Sequence, residues 1–446
     1  MALISSRPRP RRPNLPSKVR SFVPEPILEG LATVLDRLGI REKYVRGPHG
    51  FDPKVGVQAD VAVYFPDNIS KLYQLTQWLP VFENHPNDLT FAIVIRNIHT
   101  FNFLQGKTSL PLAHVPNFSD VMNLYRVSPF KAVVYVNNGV ANFQSLTVPE
   151  LAHIHINHGE SDKVCMVSNQ AKAYDRVFVA GEAAVQRHRA ALSEFNVDLL
   201  VRVGRPQLDE HPSPSISESS RTTVMYAPTW AGEDEANNYT SMEKMGAKIV
   251  DAILSQNNVR LIYKPHPRIK DSSDKRITDN HSTILTAIKS ANAQDPTAGH
   301  EVREEGDILA LFPHTDLLVS DVSSVCLDFL YLRPQSPIVL TDRRNNVDQL
   351  RIDSPISVAT PVLTVSNIND AQSIIADVIA NDKNVDSRRT LRDFYFDNVK
   401  AGESTSRFFH ALRDAINEHS ADMQRAQALA AAGTGPKLNT HTGDAQ

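Results

Sequence analysis

The sequence predicts an α/β protein made of two successive domains, each with a parallel sheet. Three observations carry that reading. Short apolar runs rich in valine and isoleucine alternate with helical patterns from about residue 60 to 203, and again from about 223 to 379. A serine- and proline-rich stretch, EHPSPSISESS at 210–220, separates the two series as a linker. The run at 317–319 ends in Ser320 and Asp321 and leads straight to Ser323 and Ser324, a buried strand feeding a helix.

Composition narrows the class. At 446 residues the chain has room for about two to three domains, and 41% hydrophobic with 22% charged residues suits a core of ordinary size. A net charge of -3 argues against a nucleic-acid binder. Two cysteines, Cys165 and Cys326, make neither a disulfide framework nor a thiolate zinc site, so a reducing cytoplasm fits. No apolar run reaches the ~18 residues of a membrane span, and the N-terminus lacks the apolar segment of a secretory signal.

The elements follow in order. Residues 1–24 form a basic, proline-interrupted arm carrying Arg7, Arg9, Arg11, Arg12, Lys18 and Arg20, expected to be disordered and suited to an anionic membrane surface. An amphipathic helix is expected over 26–38, and an N-terminal α/β domain spans 25–209. Its strands are expected at 61–65, 89–95, 131–136, 152–156, 176–180 and 199–203, with helices at 70–82 and 181–195. After the linker, assigned to 210–221, the second domain spans 222–400. It has strands at 223–227, 259–264, 317–321 and 337–340 and helices at 242–254 and 368–379. A final amphipathic helix is expected within 401–418, then an alanine-rich helical end and loose tail over 419–446. Ligands belong at the carboxyl ends of the strands, in a cleft between the domains.

Four stretches carry chemistry. At the start of the helix after 317–321, unpaired backbone amides and the hydroxyls of Ser323 and Ser324 make a ready anion site, and Asp328 lies one turn further on the same face. The strand at 152–156 ends in Asn157-His158-Gly159-Glu160-Ser161-Asp162-Lys163, where glycine permits a tight turn and His158 is available as a general base. His153 and His155 share a face of that strand, but no third ligand accompanies them, which argues against metal. Tyr226-Ala227-Pro228-Thr229-Trp230 offers a hydroxyl and an aromatic face. Tyr263-Lys264-Pro265-His266-Pro267 holds one histidine between two prolines, beside a cation suited to phosphate.

Together these stretches resemble the CDP-glycerol glycerophosphotransferase family, the primases and polymerases of teichoic-acid-like glycerol-phosphate chains. The likeness runs over about 130–415. The family's His-Gly-Thr-Pro-Leu-Lys turn is similar to 158–163, its Gly-x-Pro-Arg-x-Asp to Gly204-Arg205-Pro206-Gln207-Leu208-Asp209, and its Tyr-Ala-Pro-Thr-Trp to 226–230. Its Lys-x-His-Pro resembles 264–267, and its Ser/Thr-Asp-Tyr-Ser-Ser-Val-x-x-Asp-Phe resembles 320–329.

The resemblance implies a GT-B-like fold of two facing Rossmann-like domains, with a C-terminal helix packing back on the first. It implies transfer of glycerol phosphate, or a related polyol phosphate, from CDP-glycerol to a lipid-linked or polymer acceptor, with release of CMP. The setting would be bacterial teichoic-acid or capsule assembly at the inner face of the plasma membrane. Ser323 and Ser324 would hold the pyrophosphate, Asp328 the ribose and His266 the transferred phosphate, with Lys264, Asp321 and Thr229 also on the donor side. His158 would deprotonate the acceptor, and Gly159, Lys163 and Arg205 would lie on the acceptor or phosphate side. No metal or other cofactor is implied.

The departures are Glu160-Ser161-Asp162 in place of Thr-Pro-Leu, which puts two acids next to the phosphate site, and Val322 in place of tyrosine. A nucleotide-sugar glycosyltransferase, a hydrolysing sugar epimerase and a silent nucleotide-binding scaffold remain alternatives. So does a homo-oligomer.

Overall fold

The computed structural model describes residues 50–210, 212–400 and 402–432. The basic arm, the helix expected at 26–38 and the end of the tail lie outside these residues. The described chain forms two parallel sheets and divides into two compact units.

The first unit comprises residues up to Thr76, His85–Val134 and Gly139–Leu151. Its strands are β1 (Val61–Phe65), β2 (Phe91–Ile95), β3 (Leu112–His114) and most of β4 (Ala132–Tyr135). Every residue of β1 and β2 is buried, as expected for strands covered on both faces. β1 pairs in parallel with β2, Val61 opposite Phe91, and with β4, Val61 opposite Ala132.

The single helix expected over 70–82 is instead broken into a 3₁₀ turn at Ile69–Lys71, α1 (Tyr73–Thr76) and α2 (Leu79–Glu83). Pro80 explains the break. Within a continuous helix its ring would strike the carbonyl four residues back, whereas in the first turn of a new helix its missing N–H costs nothing. Helices α3 (Ile98–Leu104), α4 (Phe118–Val127) and α5 (Asn142–Ser145) complete this unit.

The second unit holds Gln77–Asn84, Tyr135–Asn138 and everything from Ala152 onward. It contributes β5 (Ala152–His155), β6 (Arg176–Val179) and β7 (Leu200–Arg202), so that the first sheet runs β3-β2-β1-β4-β5-β6-β7. It also contains α6 (Glu182–Ala191) and the whole second sheet. That sheet consists of β8 (Thr222–Ala227), β9 (Val259–Tyr263), β10 (Glu301–Val302), β11 (Leu317–Asp321), β12 (Ile338–Asp342) and β13 (Val362–Thr364), in the order β10-β9-β8-β11-β12-β13. The order reverses beside β8 and β11, the place where open α/β sheets bind ligands.

The connecting helices are α7 (Gly246–Leu254), α8 (Lys275–Gln294), α9 (Ser324–Leu332), α10 (Val347–Asp353), α11 (Ala371–Ala380) and α12 (Val385–Phe396). Ile249, Val250 and Ile253 of α7 pack with Leu261 and Tyr263 of β9 in one buried cluster. Each such aliphatic side chain contributes about 1.5–3 kcal/mol by leaving water.

The last helix, α13, runs unbroken from Glu403 to Ala431, joining the amphipathic helix expected to 418 with the alanine-rich helical end expected beyond it. Its Phe408 ring lies 5.2 Å from Trp78 and 5.8 Å from Phe178 of β6, which seats the helix on the first sheet. Among the described residues no helix is long and apolar enough to cross a membrane.

Candidate functional site

β11 is wholly buried between β8 and β12 and delivers Asp321 at its carboxyl end. Ser323 is the extended N-cap residue of α9, and its side chain does not cap the helix. The hydroxyl lies 3.5 Å from that of Ser320. The first amides of α9 therefore have no side-chain cap, the arrangement that suits an anion.

Asp321 is fully buried behind this helix end. Its carboxylate accepts from the Thr229 amide at 2.7 Å and the Thr341 hydroxyl at 2.5 Å. Burial raises its pKa, and the hydrogen bonds, including those from Ser241, oppose that rise. The carboxylate thus fixes the Pro228–Thr229 loop from behind.

The His158 turn comes to the same place. Asn157 sits at φ 53°, and its carbonyl accepts from Trp78 Nε1 at 2.7 Å. A Cβ on Gly159 would lie 3.3 Å from Ser324 Cβ, so the turn rests directly against the start of α9. Lys163 Nζ donates to Thr229 Oγ1 at 2.9 Å. His158, Gly159, Lys163, Thr229, Ser323 and Ser324 are thereby gathered in one compact unit.

His266 joins them from the loop after β9. Its amide donates to Pro228 O at 3.1 Å, and its Nδ1 accepts from the Arg268 amide at 3.2 Å. Burial, with the charges of Lys163, Arg268 and Lys264 nearby, pushes its pKa down to about 3. The ring is therefore neutral, with the proton on Nε2, and acts as a donor. Arg268 stacks on Trp230 at 4.1 Å. Lys264, itself buried, gives its Nζ to the carbonyls of Glu305 at 3.1 Å and Glu304 at 3.4 Å.

Asp328 and Arg205 are paired. Arg205 Nη2 lies 3.0 Å and 3.3 Å from the two carboxylate oxygens, and Nε lies 3.2 Å from Oδ1. Burial raises the Asp328 pKa, and Arg205 opposes it. Arg205 also donates to the His158 carbonyl at 3.4 Å, linking the His158 turn to α9.

The turn at 204–209 has a second duty. Gly204 is at φ 76°, and a Cβ there would fall 2.3 Å from Ser404 Oγ. Asp209 accepts from the amides of Gly402 at 2.9 Å and Thr405 at 2.6 Å, which caps α13.

Glu160 and Asp162 are buried against Arg187 of α6, with Arg187 Nη1 2.7 Å from Asp162. Asp162 also accepts from Ser354 at 2.8 Å and Tyr395 at 2.5 Å. Burial pushes its carboxyl up to about 6, against those two hydroxyls. Arg187, Ser354 and Tyr395 carried no recognisable signal in the sequence.

The neighbouring histidines are committed to the fold. His153 Nδ1 bonds the Tyr135 hydroxyl at 2.8 Å, and the His155 ring stacks on Tyr174 at 5.1 Å.

The family model described as CDP-Glycerol:Poly(glycerophosphate) glycerophosphotransferase matches residues 161–412. The chain belongs to that family. The match covers more than half of the chain and includes the α9 helix start, the Lys264–Pro267 loop and the Arg205 turn. No curated protein sequence matches the chain.

Among solved structures, the wall teichoic acid polymerase TagF, in a histidine-to-asparagine variant soaked with CDPG, aligns at TM-score 0.50. It shows 14% identity over 90% of this chain and 98% of its own. The UDP-GlcNAc 2-epimerase from Neisseria meningitidis bound to UDP-GlcNAc aligns at 0.51, with 10% identity over 80% and 100%. The S. aureus MnaA–UDP co-structure aligns at 0.52, with 11% identity over 81% and 97%. At these identities the likeness is one of fold, which is GT-B-like.

Proposed function

We propose that this family member transfers glycerol phosphate, or a related polyol phosphate, from CDP-glycerol to a membrane-linked cell-surface polymer, releasing CMP. The observation that carries the reading is the close approach of the His158–Gly159 turn to the start of α9, where a Cβ on Gly159 would lie 3.3 Å from Ser324 Cβ. In this reading His158 is the general base and the helix end is the anion site, close enough for one bound donor to meet both.

In this reading the pyrophosphate of the donor lies on the amides and hydroxyls of Ser323 and Ser324. Neutral His266 donates from Nε2 to an oxygen of the transferred phosphate, and Lys163 and Lys264 supply positive charge. His158 takes the proton of the acceptor hydroxyl. The hydroxyl oxygen forms a bond to the glycerol-bearing phosphorus, and the bond from that phosphorus to the bridging oxygen breaks. The electron pair leaves with CMP.

Asp328, steadied by Arg205, faces the ribose. Asp321 acts from behind by holding Thr229, against which Lys163 is placed. The work would take place at the inner face of the plasma membrane, where lipid-linked acceptors are met.

The test is CMP release from CDP-glycerol with a glycerol-phosphate-primed lipid analogue. Wild type is expected to release CMP and His158→Ala to lose about 10²–10⁴-fold, the usual share of a general base. Turnover of nucleotide sugars with CDP-glycerol ignored would overturn the reading.

A further inference from the structure

Asp162 stands where the family's turn carries leucine, and it is buried. Removing a carboxylate from water costs several kcal/mol unless partners surround it. Here the partners come from separate parts of the fold. Arg187 belongs to α6, Tyr395 to α12, and Ser354 to the segment between α10 and the following 3₁₀ turn. Tyr395 is itself fixed, because its hydroxyl accepts from the Ile356 amide at 3.1 Å. One side chain of the loop is thus held from three directions.

The next residue is Lys163, whose Nζ is 2.9 Å from Thr229 Oγ1. The Thr229 amide is in turn bound to Asp321. A leucine could fill the same volume, but it offers no directional bond to set the backbone that aims Lys163.

We propose that Asp162 is a positioning residue, whose anchorage by Arg187, Ser354 and Tyr395 holds Lys163 at the phosphate site. Its consequence for ligand binding rests on the reading of that site given above, whereas the placement of Lys163 does not.

Two measurements on the full chain test it. The first is the rate at which Lys163 is acylated by an amine-reactive reagent, read by peptide mass spectrometry. Asp162→Asn and Tyr395→Phe are both expected to label about tenfold faster, because a loosened Nζ leaves Thr229. An unchanged rate in both variants overturns the proposal, and Tyr395→Phe carries the test alone if Asp162→Asn fails to fold.

The second is binding of CDP-glycerol relative to CMP, which lacks the transferred phosphate. Asp162→Asn is expected to lower that preference about tenfold while leaving CMP affinity within about twofold. The loss is expected to vanish in a Lys163→Met background, because coupled residues are not additive. Additive losses would show that Asp162 merely stabilises the fold. If wild type binds neither nucleotide, the functional reading fails, and the labelling rates still decide the clamp.

Discussion

Arg205 and Asp328, 123 residues apart in sequence, hold each other through three hydrogen bonds in a buried pair. The same guanidinium reaches the His158 carbonyl. A side chain from the first sheet's last turn therefore ties the His158 loop to the helix that would receive the donor.

Removing one partner leaves the other charge buried. Arg205→Leu is expected to destabilise the protein by about 3–5 kcal/mol, the usual cost of an orphaned buried charge, and Arg205→Lys by less. Urea melts of both variants check this. A loss below about 1 kcal/mol for Arg205→Leu would mean that Asp328 is solvated or protonated at no cost.

Gly159→Ala puts a methyl group 3.3 Å from Ser324 Cβ. Overpacking of this kind costs about 1–3 kcal/mol, and the movable part is the turn. Activity is expected to fall at least about tenfold, with the melting temperature lowered by only a few degrees. Undiminished CMP release would show that the turn and helix start do not form one site.

His266 is held neutral, with its pKa pushed down to about 3 by burial and nearby cations. Its protonation therefore shapes no part of the pH dependence of kcat/KM, which reports groups of the free enzyme, between about pH 5 and 8. His266→Ala is expected to lose about 10²–10³-fold in kcat, the cost of one preorganised donor, and His266→Gln to retain more through its amide N–H. Equal loss in both variants would remove the donor role.

His155 gives a stability test independent of function. It is 3% exposed, and burial with the charges of His188 and His158 pushes its pKa down to about 3, against an ordinary value of 6.5. A folded pKa below the unfolded one means that its contribution is complete above about 6.5. That contribution is lost as pH falls from there towards about 3. The slope reaches at most about 1.4 kcal/mol per pH unit. His155→Leu is expected to flatten that part of the stability–pH curve, and an unchanged slope would show that the ring is solvated.

Ten of the thirteen described strands were legible because their apolar runs are β-branched and bounded by turn residues, as in β1 and β11, whereas β3, β10 and β13, two or three residues each, are too short to show a pattern. The helices α8 and α12 were not recognised. Their polar faces dominate, with only Ile277, His281, Ile284 and Ile288 of α8 buried. The break before α2 depended on Pro80, which the apolar pattern of 70–82 concealed.

In the candidate site, the residues at strand ends and at the helix start could be named from local pattern alone. Their partners could not. The pairing of Arg205 with Asp328, of Asp209 with the start of α13, and of Asp162 with Tyr395 spans long sequence separations. Each exists only because the fold brings carboxylates to donors that local sequence does not reveal. Glu160 and Asp162 look like an acidic intrusion in the sequence, yet both are buried against Arg187, and Asp162 also takes the hydroxyls of Ser354 and Tyr395.

In the proposed reaction phosphorus, not carbon, is the centre attacked. The most direct measurement uses CDP-glycerol labelled in both the glycerol and the phosphate attached to it, with a glycerol-phosphate-primed lipid analogue as acceptor. Both labels are expected on the acceptor, with CMP as the nucleotide product. Glycerol label alone on the acceptor, with CDP released and the phosphate label retained on it, would contradict the account.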